Sequence, residues 1–269
     1  MSRKNYVHGY TDRESERLAD QAQTLTRLLH GDTSYPAGSR VLEAGCGIGA
    51  QTVILAANSP HAGITSVDIS ADSLRRAEGV IREKGITNVS FCQGDIFHLP
   101  FGPGTFDNIF VCFVLEHLSE PQRALERLLP LLKEGGSITV IEGDHGSAFY
   151  HPDSRFAQRA IDCLVRLQRE MGGNALIGRA LYPLMSAAGY QNVHVSPRMV
   201  YADATRPDLV EGFIRLTFTA MVKGIGEVAQ ERGIMSHEDW ERGIRDLYRT
   251  CDKDGVFCYT FFKATAIRT

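Results

Sequence analysis

An α/β fold with a doubly wound, mostly parallel sheet is predicted by three observations. Between Arg40 and Glu142, short β-branched runs alternate with longer stretches of helical periodicity, as successive strand–helix–strand units do. Gly45, Gly47 and Gly49 cluster where the first apolar run gives way to the first helical stretch. An acid, Asp68, ends the second apolar run.

The elements follow in order. Before the sheet, Thr11 and Glu14 make a capping box, and Leu18, Ala22, Leu25 and Leu28 recur at helical spacing up to Gly31, which predicts an amphipathic helix ahead of the core. Strands are expected at Arg40–Glu43, Ile64–Asp68, Val89–Gln93, Phe106–Val114 and Ser137–Glu142. Helices between them are expected at Gln51–Asn58, Ser70–Lys84 and Pro121–Lys133. The last has Ser119 as its N-cap with Gln122 three residues on, Gly135-Gly136 as a stop signal, and Leu125, Leu128, Leu129 and Leu132 toward the sheet. Beyond Glu142 the pattern becomes more helical, with stretches at Ser154–Met171, Gly178–Ala188, about Pro207–Arg232 and His237–Arg249. β-like runs at Asn192–Val200 and Val256–Ala266 punctuate them. There is no internal repeat. This organisation divides into residues 1–35 as an N-terminal helical lid segment, 36–150 as the α/β core, and 151–269 as a helical substrate cap interleaved with the last strands of the core sheet.

Composition narrows the function. With 43% hydrophobic residues, the 269-residue chain can bury a large core, and no window approaches the ~18 uninterrupted apolar residues of a membrane span. The polar start Met1-Ser2-Arg3-Lys4 has no apolar signal core, so a cytoplasmic protein is expected. The six cysteines form no CxxC pair and sit mostly in apolar runs, which points to reduced core thiols and no metal site. A net charge of −3 supplies no field for gathering phosphates, so a small-molecule substrate is expected and a nucleic acid is not.

The segment Val41 to Gly49 follows a strand and opens a helix, the setting in which glycines let backbone approach a nucleotide cofactor. With Ala50 it also satisfies G-x-G-x-x-A, and Asp68 stands where an acid meets a ribose hydroxyl. Both S-adenosylmethionine (SAM) and a nicotinamide dinucleotide satisfy these features. An oxidoreductase would need a hydride-transfer apparatus. The Tyr259-x-x-x-Lys263 match lies in a β-rich run, where the two Cα atoms stand roughly 13 Å apart, too far to act as a pair.

A run of motifs resembles the class I SAM-dependent methyltransferases, especially the ubiquinone/menaquinone-biosynthesis-like branch, over about Tyr10 to Glu142. Glu43-Ala44-Gly45-Cys46-Gly47-Ile48-Gly49 is similar to the family's first motif, and Ser66-Val67-Asp68-Ile69-Ser70 to its second. Gln93-Gly94-Asp95-Ile96, with Leu99-Pro100-Phe101 and Phe106-Asp107 after it, resembles the adenine-binding stretch. Val114-Leu115-Glu116-His117-Leu118 and Leu132-Lys133-Glu134-Gly135-Gly136 resemble the fourth-strand exit and the lead into the fifth strand. The resemblance implies a Rossmann-like fold that binds SAM through Glu43, Gly45, Cys46, Gly47, Asp68, Ile69, Gly94, Asp95, Ile96, Val114 and Tyr10. In it, Asp68 bonds the ribose diol and Asp95 accepts from the adenine amino group. Asp95 is equally a residue type that closes turns.

Methyl transfer needs a general base only when the nucleophile must lose a proton. His145, between glycines in Gly143-Asp144-His145-Gly146, is the first candidate, and His117 the second; a loop histidine and a capping histidine are the plain structural readings of the two. The fourth-strand exit lacks the Asn/Asp-Pro-Pro-Tyr/Phe motif of the amino-methylating relatives, which favours a small acceptor. Tyr150, Phe156, Tyr182, Tyr201, Phe213, Phe218 and Trp240 offer aromatic surface for an apolar or aromatic metabolite. The expected protein is therefore a SAM-dependent methyltransferase, with a homodimer as its candidate assembly. A nicotinamide-dependent oxidoreductase and a non-catalytic SAM-binding module are the alternatives.

Overall fold

The computed structural model describes residues 24–269, and seven strands form one sheet in the order β3-β2-β1-β4-β5-β7-β6. A helix over residues 24–30 (α1) leads to β1 (Arg40–Ala44), α2 (Ala50–Asn58), β2 (Gly63–Asp68), α3 (Ala71–Glu83) and β3 (Val89–Gln93). Then come β4 (Phe106–Cys112), α4 (Pro121–Leu128), β5 (Leu132–His151), α5 (Arg155–Glu170), α6 (Leu181–Ala187) and β6 (Gln191–Asp203). The predicted doubly wound sheet is present. Its β1–β2, β2–β3, β1–β4 and β4–β5 pairings are parallel. The chain reverses its direction of strand addition at β1, which has β2 on one side and β4 on the other, and open α/β sheets bind ligands beyond the carboxyl ends of such a pair.

Two compact units are present. One comprises Leu29–Glu142, Ile177–Pro197 and Phe262–Thr269; the other comprises Gly143–Leu176 and Arg198–Phe261 with the described residues up to Leu28. The first unit's core is built from strand residues such as Leu42, Ile109, Val111, Ile138 and Val140. Against them lie Leu125, Leu128 and Leu132, fully buried, while Leu129 is only half-buried. α3 is capped by Ser70, whose hydroxyl accepts from the Ser73 N–H at 3.2 Å.

Some boundaries depart from the sequence expectations. α4 ends at Leu128, not Lys133: Pro130 has no N–H to give to the preceding turn, and the chain passes through one 3₁₀ turn into β5 at Leu132. Its N-cap is Glu120 with no side-chain cap bond, so Ser119 and Gln122 form no capping box, and Pro121 takes the first helical position. Gly135 and Gly136 lie inside β5. β4 stops at Cys112 because Phe113 adopts φ 56°, in the left-handed region. β5 runs nine residues past the expected Glu142.

In the second unit, α5 is capped by Ser154 and buries Phe156, Ala157, Ala160, Ile161, Leu164 and Leu167, a stripe of helical period. It packs on α10 (His237–Arg249), where Gly243 permits close approach: a Cβ there would stand 2.6 Å from the Phe156 carbonyl oxygen. The expected helix from Pro207 is one turn of α-helix (α7, Pro207–Leu209), a π-helix over Val210–Thr219, then α8 (Ala220–Gly224) and α9 (Gly226–Glu231). The π-helix has a packing reason. Phe213 and Phe218, five residues apart, would diverge by about 140° on an α-helix, whereas i to i+5 bonding aligns them. Both rings then meet Tyr259 of β7 (Val256–Ile267) at 5.5 Å, and Phe218 meets Phe257 at 4.8 Å. Among the described residues no helix is long and apolar enough to cross a membrane, and all six cysteines are free.

Candidate active site

The glycine loop after β1 is held from below by backbone and from the side by Asp68. Gly45 and Cys46 N–H both donate to the Val67 carbonyl, at 2.8 and 2.9 Å. Gly47 N–H donates to Asp68 Oδ2 at 2.8 Å, and Ser70 N–H to Oδ1 at 2.8 Å. Gly45 and Gly47 have φ of 87° and 52°, conformations that side chains disfavour. Their surroundings differ. A Cβ on Gly45 would lie 2.4 Å from Val114 Cγ2, so that glycine is required by a close approach; around Gly47 no atom of the other described residues lies within 4 Å of such a Cβ. The loop thus turns a bare backbone face to open space.

Glu43 precedes the loop on β1. It is buried, and its Oε2 accepts from Thr52 Oγ1 at 2.7 Å and Ser66 Oγ at 2.6 Å, tying β1 to α2 and β2. Burial pushes its carboxyl up to about 7 against the pull of the two hydroxyls. Burial also raises Asp68, opposed by the N–H bonds it accepts from Ser70 and Gly47. Cys46 is buried, its thiol raised by the same cause.

At the next strand end Gly94 N–H donates to the Asp68 carbonyl at 3.1 Å, and a Cβ on Gly94 would press on Leu99 at 3.0 Å. Asp95 closes a turn by accepting from Phe97 N–H at 3.0 Å, with His98 Nδ1 3.6 Å away. Ile96 is half-buried against the core, and Ile69 is 39% exposed beside Asp68. Gly45, Cys46, Gly47, Asp68, Gly94 and Val114 are therefore joined by direct contacts, with Asp95, Ile96 and Ile69 in sequence beside them. Tyr10 lies outside the described residues, as do Thr11, Glu14, Leu18 and Ala22.

The two histidines stand in different settings. His117 ends a 3₁₀ turn (Leu115–His117) and is half-buried, its Nε2 3.6 Å from Glu116 Oε1. His145 belongs to the second unit and is buried on β5, not on a loop; its Nδ1 lies 2.7 Å from the Tyr259 hydroxyl, with the Phe218 ring at 6.3 Å. Gly143 makes room for this pair, since a Cβ there would come within 2.4 Å of the Tyr259 hydroxyl. Of the aromatic set, Phe156, Phe213, Phe218 and Trp240 are core, Tyr150 stacks on Phe257 at 6.0 Å, and Tyr182 and Tyr201 are exposed. Tyr259 and Lys263 both lie on β7, and Lys263 Nζ donates to Asp32 Oδ1 and Thr33 Oγ1 at 2.6 Å each.

Four partners were not foreseen in the sequence: Ser66 and Thr52 for Glu43, Tyr259 for His145, and Glu142, whose Oε1 accepts from Val114 N–H at 3.0 Å and Leu115 N–H at 2.7 Å. The signal for Glu142 was there, as an acid directly after the apolar run Ile138–Ile141.

Residues 36–185 match a family model described as a methyltransferase domain. The chain belongs to that family. Within it, the chain falls in the class I, SAM-dependent branch that includes the ubiquinone/menaquinone C-methyltransferases. It is 31% identical to the enzyme of that name (UbiE) from Pseudomonas paraeruginosa, over 73% of each chain. It is 33% identical to an uncharacterised methyltransferase of Schizosaccharomyces pombe, over 58% of this chain and 59% of the relative. With the YcgJ protein of Bacillus subtilis it shares the fold at a TM-score of 0.58 and 17% identity, over 94% and 98% of the two chains. Across four of its curated relatives, the chain spans between 35% and 59% of their length. The residues present fit SAM: hydroxyl and amino groups on a ribose and an adenine need acceptors, and Asp68 and Asp95 are carboxylates near a glycine backbone that the other described residues leave open at Gly47.

Proposed function

We propose that this methyltransferase moves a methyl group from SAM to a small apolar or aromatic metabolite in the cytoplasm. The observation that carries the reading is the glycine loop pinned to Asp68 with open space over Gly47, at the carboxyl ends of the β1–β4 pair. When bound, SAM supplies an electrophilic methyl on a sulfonium. Asp68 would accept from the ribose hydroxyls with the lone pairs left by Gly47 and Ser70, and Asp95 from the adenine amino group. Gly45, Cys46 and Gly47 would present backbone to the methionine part, while Ile69, Ile96, Gly94 and Val114 offer the apolar contacts. Glu43 would act from behind, by fixing the loop.

His145 is the residue proposed to hold or take an acceptor proton, with His117 second. Its aromatic surroundings, Phe218 and Tyr259, suit an apolar or aromatic acceptor. Residues 1–35 are proposed as a lid that includes Tyr10, and residues 151–269 as the substrate cap. Deleting Met1–Tyr10 is expected to leave a folded protein with impaired cofactor retention, whereas deletion through Leu29 also removes the buried Leu25 and Leu29 and destabilises the core.

A thermal-shift titration tests the cofactor, followed by a methylation screen of metabolite pools. SAM and S-adenosylhomocysteine are expected to raise the melting temperature while NAD and NADP leave it unchanged. Stabilisation by NADH with none by SAM overturns the proposal.

A further inference from the structure

Glu142 is buried completely at a point where an acid has no obvious place, the end of the apolar run in β5. Its Oε1 receives two backbone N–H groups, from Val114 at 3.0 Å and Leu115 at 2.7 Å. Those amides begin the turn that leaves β4, directly after Phe113 has swung into the left-handed region at φ 56°. A non-glycine residue held there is strained, so something outside the turn must over-determine it. Two fixings do so: Phe113 N–H donates to the Ile141 carbonyl at 2.9 Å, and Glu142 takes the next two amides. The turn then presents Val114, whose Cγ2 occupies the place a Cβ on Gly45 would need.

We infer that Glu142 is a positioning residue for the cofactor loop: it fixes the turn after β4 through Val114 and Leu115, and Val114 seats Gly45. The inference rests on the SAM-binding reading above and extends it to a residue on β5, outside the loop. The chemistry of the carboxyl fits a permanent structural acceptor. Burial pushes it well above the usual carboxylate range, and the buried Glu116 beside it acts in the same sense, opposed by the Val114 and Leu115 N–H groups it accepts from. What the turn uses is an acceptor oxygen at Oε1, so a glutamine side chain, of the same length and carrying a carbonyl oxygen, should replace it; a side chain without an acceptor should not.

The test uses the full-length protein, amide hydrogen exchange over residues 113–118 without ligand, and calorimetry with S-adenosylhomocysteine. In Glu142→Ala the Val114 and Leu115 amides should exchange about 10–100-fold faster, and S-adenosylhomocysteine should bind at least about tenfold more weakly, since two buried donors lose their acceptor. Glu142→Gln should restore both to within about twofold. If the alanine variant does not fold, Glu142→Asp, one methylene shorter, is measured in its place with the same expectation. Wild-type amide protection or wild-type affinity in the acceptor-deficient variant overturns the inference alone, as does a glutamine variant as impaired as alanine. Failure of the wild-type protein to bind S-adenosylhomocysteine overturns the SAM reading and the loop-positioning role with it.

Discussion

Replacing Gly45 with alanine sets a folded-state clash against a backbone preference, and both can be sized. The alanine methyl would stand 2.4 Å from Val114 Cγ2, and the φ of 87° is one that L side chains avoid. The conformational cost is roughly 1–2 kcal/mol and the overpacking roughly 1–3 kcal/mol, together about 2–5 kcal/mol. At about 2–4 °C per kcal/mol for a chain of this size, the melting temperature should fall by roughly 10 °C. Gly47→Ala is the control. It carries the same kind of backbone cost at φ 52°, but its methyl meets none of the other described residues within 4 Å, so it should lose only about 1–2 kcal/mol. That methyl instead projects into the space assigned to the cofactor, and S-adenosylhomocysteine affinity should fall by more than the stability loss accounts for. Thermal melts and calorimetry on the two variants decide it. A Gly45→Ala protein melting at the wild-type temperature, or a Gly47→Ala protein less stable than Gly45→Ala, refutes the account of the loop.

Asp68→Ala removes the acceptor from Gly47 and Ser70 N–H, so S-adenosylhomocysteine should bind more weakly by roughly 1.5–3 kcal/mol; an unchanged dissociation constant would reduce Asp68 to a loop fastener. Glu43 has its carboxyl raised from 4.5 to about 7 in the fold, so the folded state holds the extra proton: its stabilisation is complete below pH 4.5 and is lost as pH rises to about 7, roughly 3 kcal/mol in all. Urea midpoints measured from pH 4.5 to 7.5 should therefore decline less steeply for Glu43→Gln than for wild type, and equal slopes would contradict the burial assignment. Tyr259→Phe takes the hydroxyl from His145 Nδ1 and should lower stability by about 0.5–1.5 kcal/mol and move the His145 ring resonances seen by NMR; unmoved resonances with wild-type stability would show the contact to be incidental.

The parallel core was legible because its signals are local. Val89–Gln93 and His237–Arg249 fall where periodicity put them, and the glycine cluster lies between the first strand and the first helix of the sheet as expected. What stayed hidden depended on partners distant in sequence. Gly143 and Gly146 read as a loop around His145, yet β5 runs through them, because the missing side chain at Gly143 admits a tyrosine hydroxyl from 116 positions on. Glu43 read as a cofactor acid because its motif position says so, while its hydroxyl partners Thr52 and Ser66 look unremarkable in sequence. The early end of α4 could have been read from Pro130, but Gly135-Gly136 offered a louder stop signal.

The π-helix over Val210–Thr219 makes residue count a constraint of its own. Thr217 Oγ1 donates to the Gly212 carbonyl at 2.7 Å, a five-residue step, and a Cβ on Gly212 would collide with Thr24. A wide turn of this kind is one residue longer per hydrogen-bonded ring than its α counterpart. Tightening this stretch to ordinary α geometry at unchanged length would improve the backbone bonds yet set Phe218 about 140° from Phe213, away from Phe257 and Tyr259. Losing one residue between Phe213 and Phe218 at the same time would leave the two rings four residues and about 40° apart, again on one face. The aromatic cluster beside His145 therefore couples turn width to residue count: natural variation in this stretch should either keep both or lose one residue together with the wide turn.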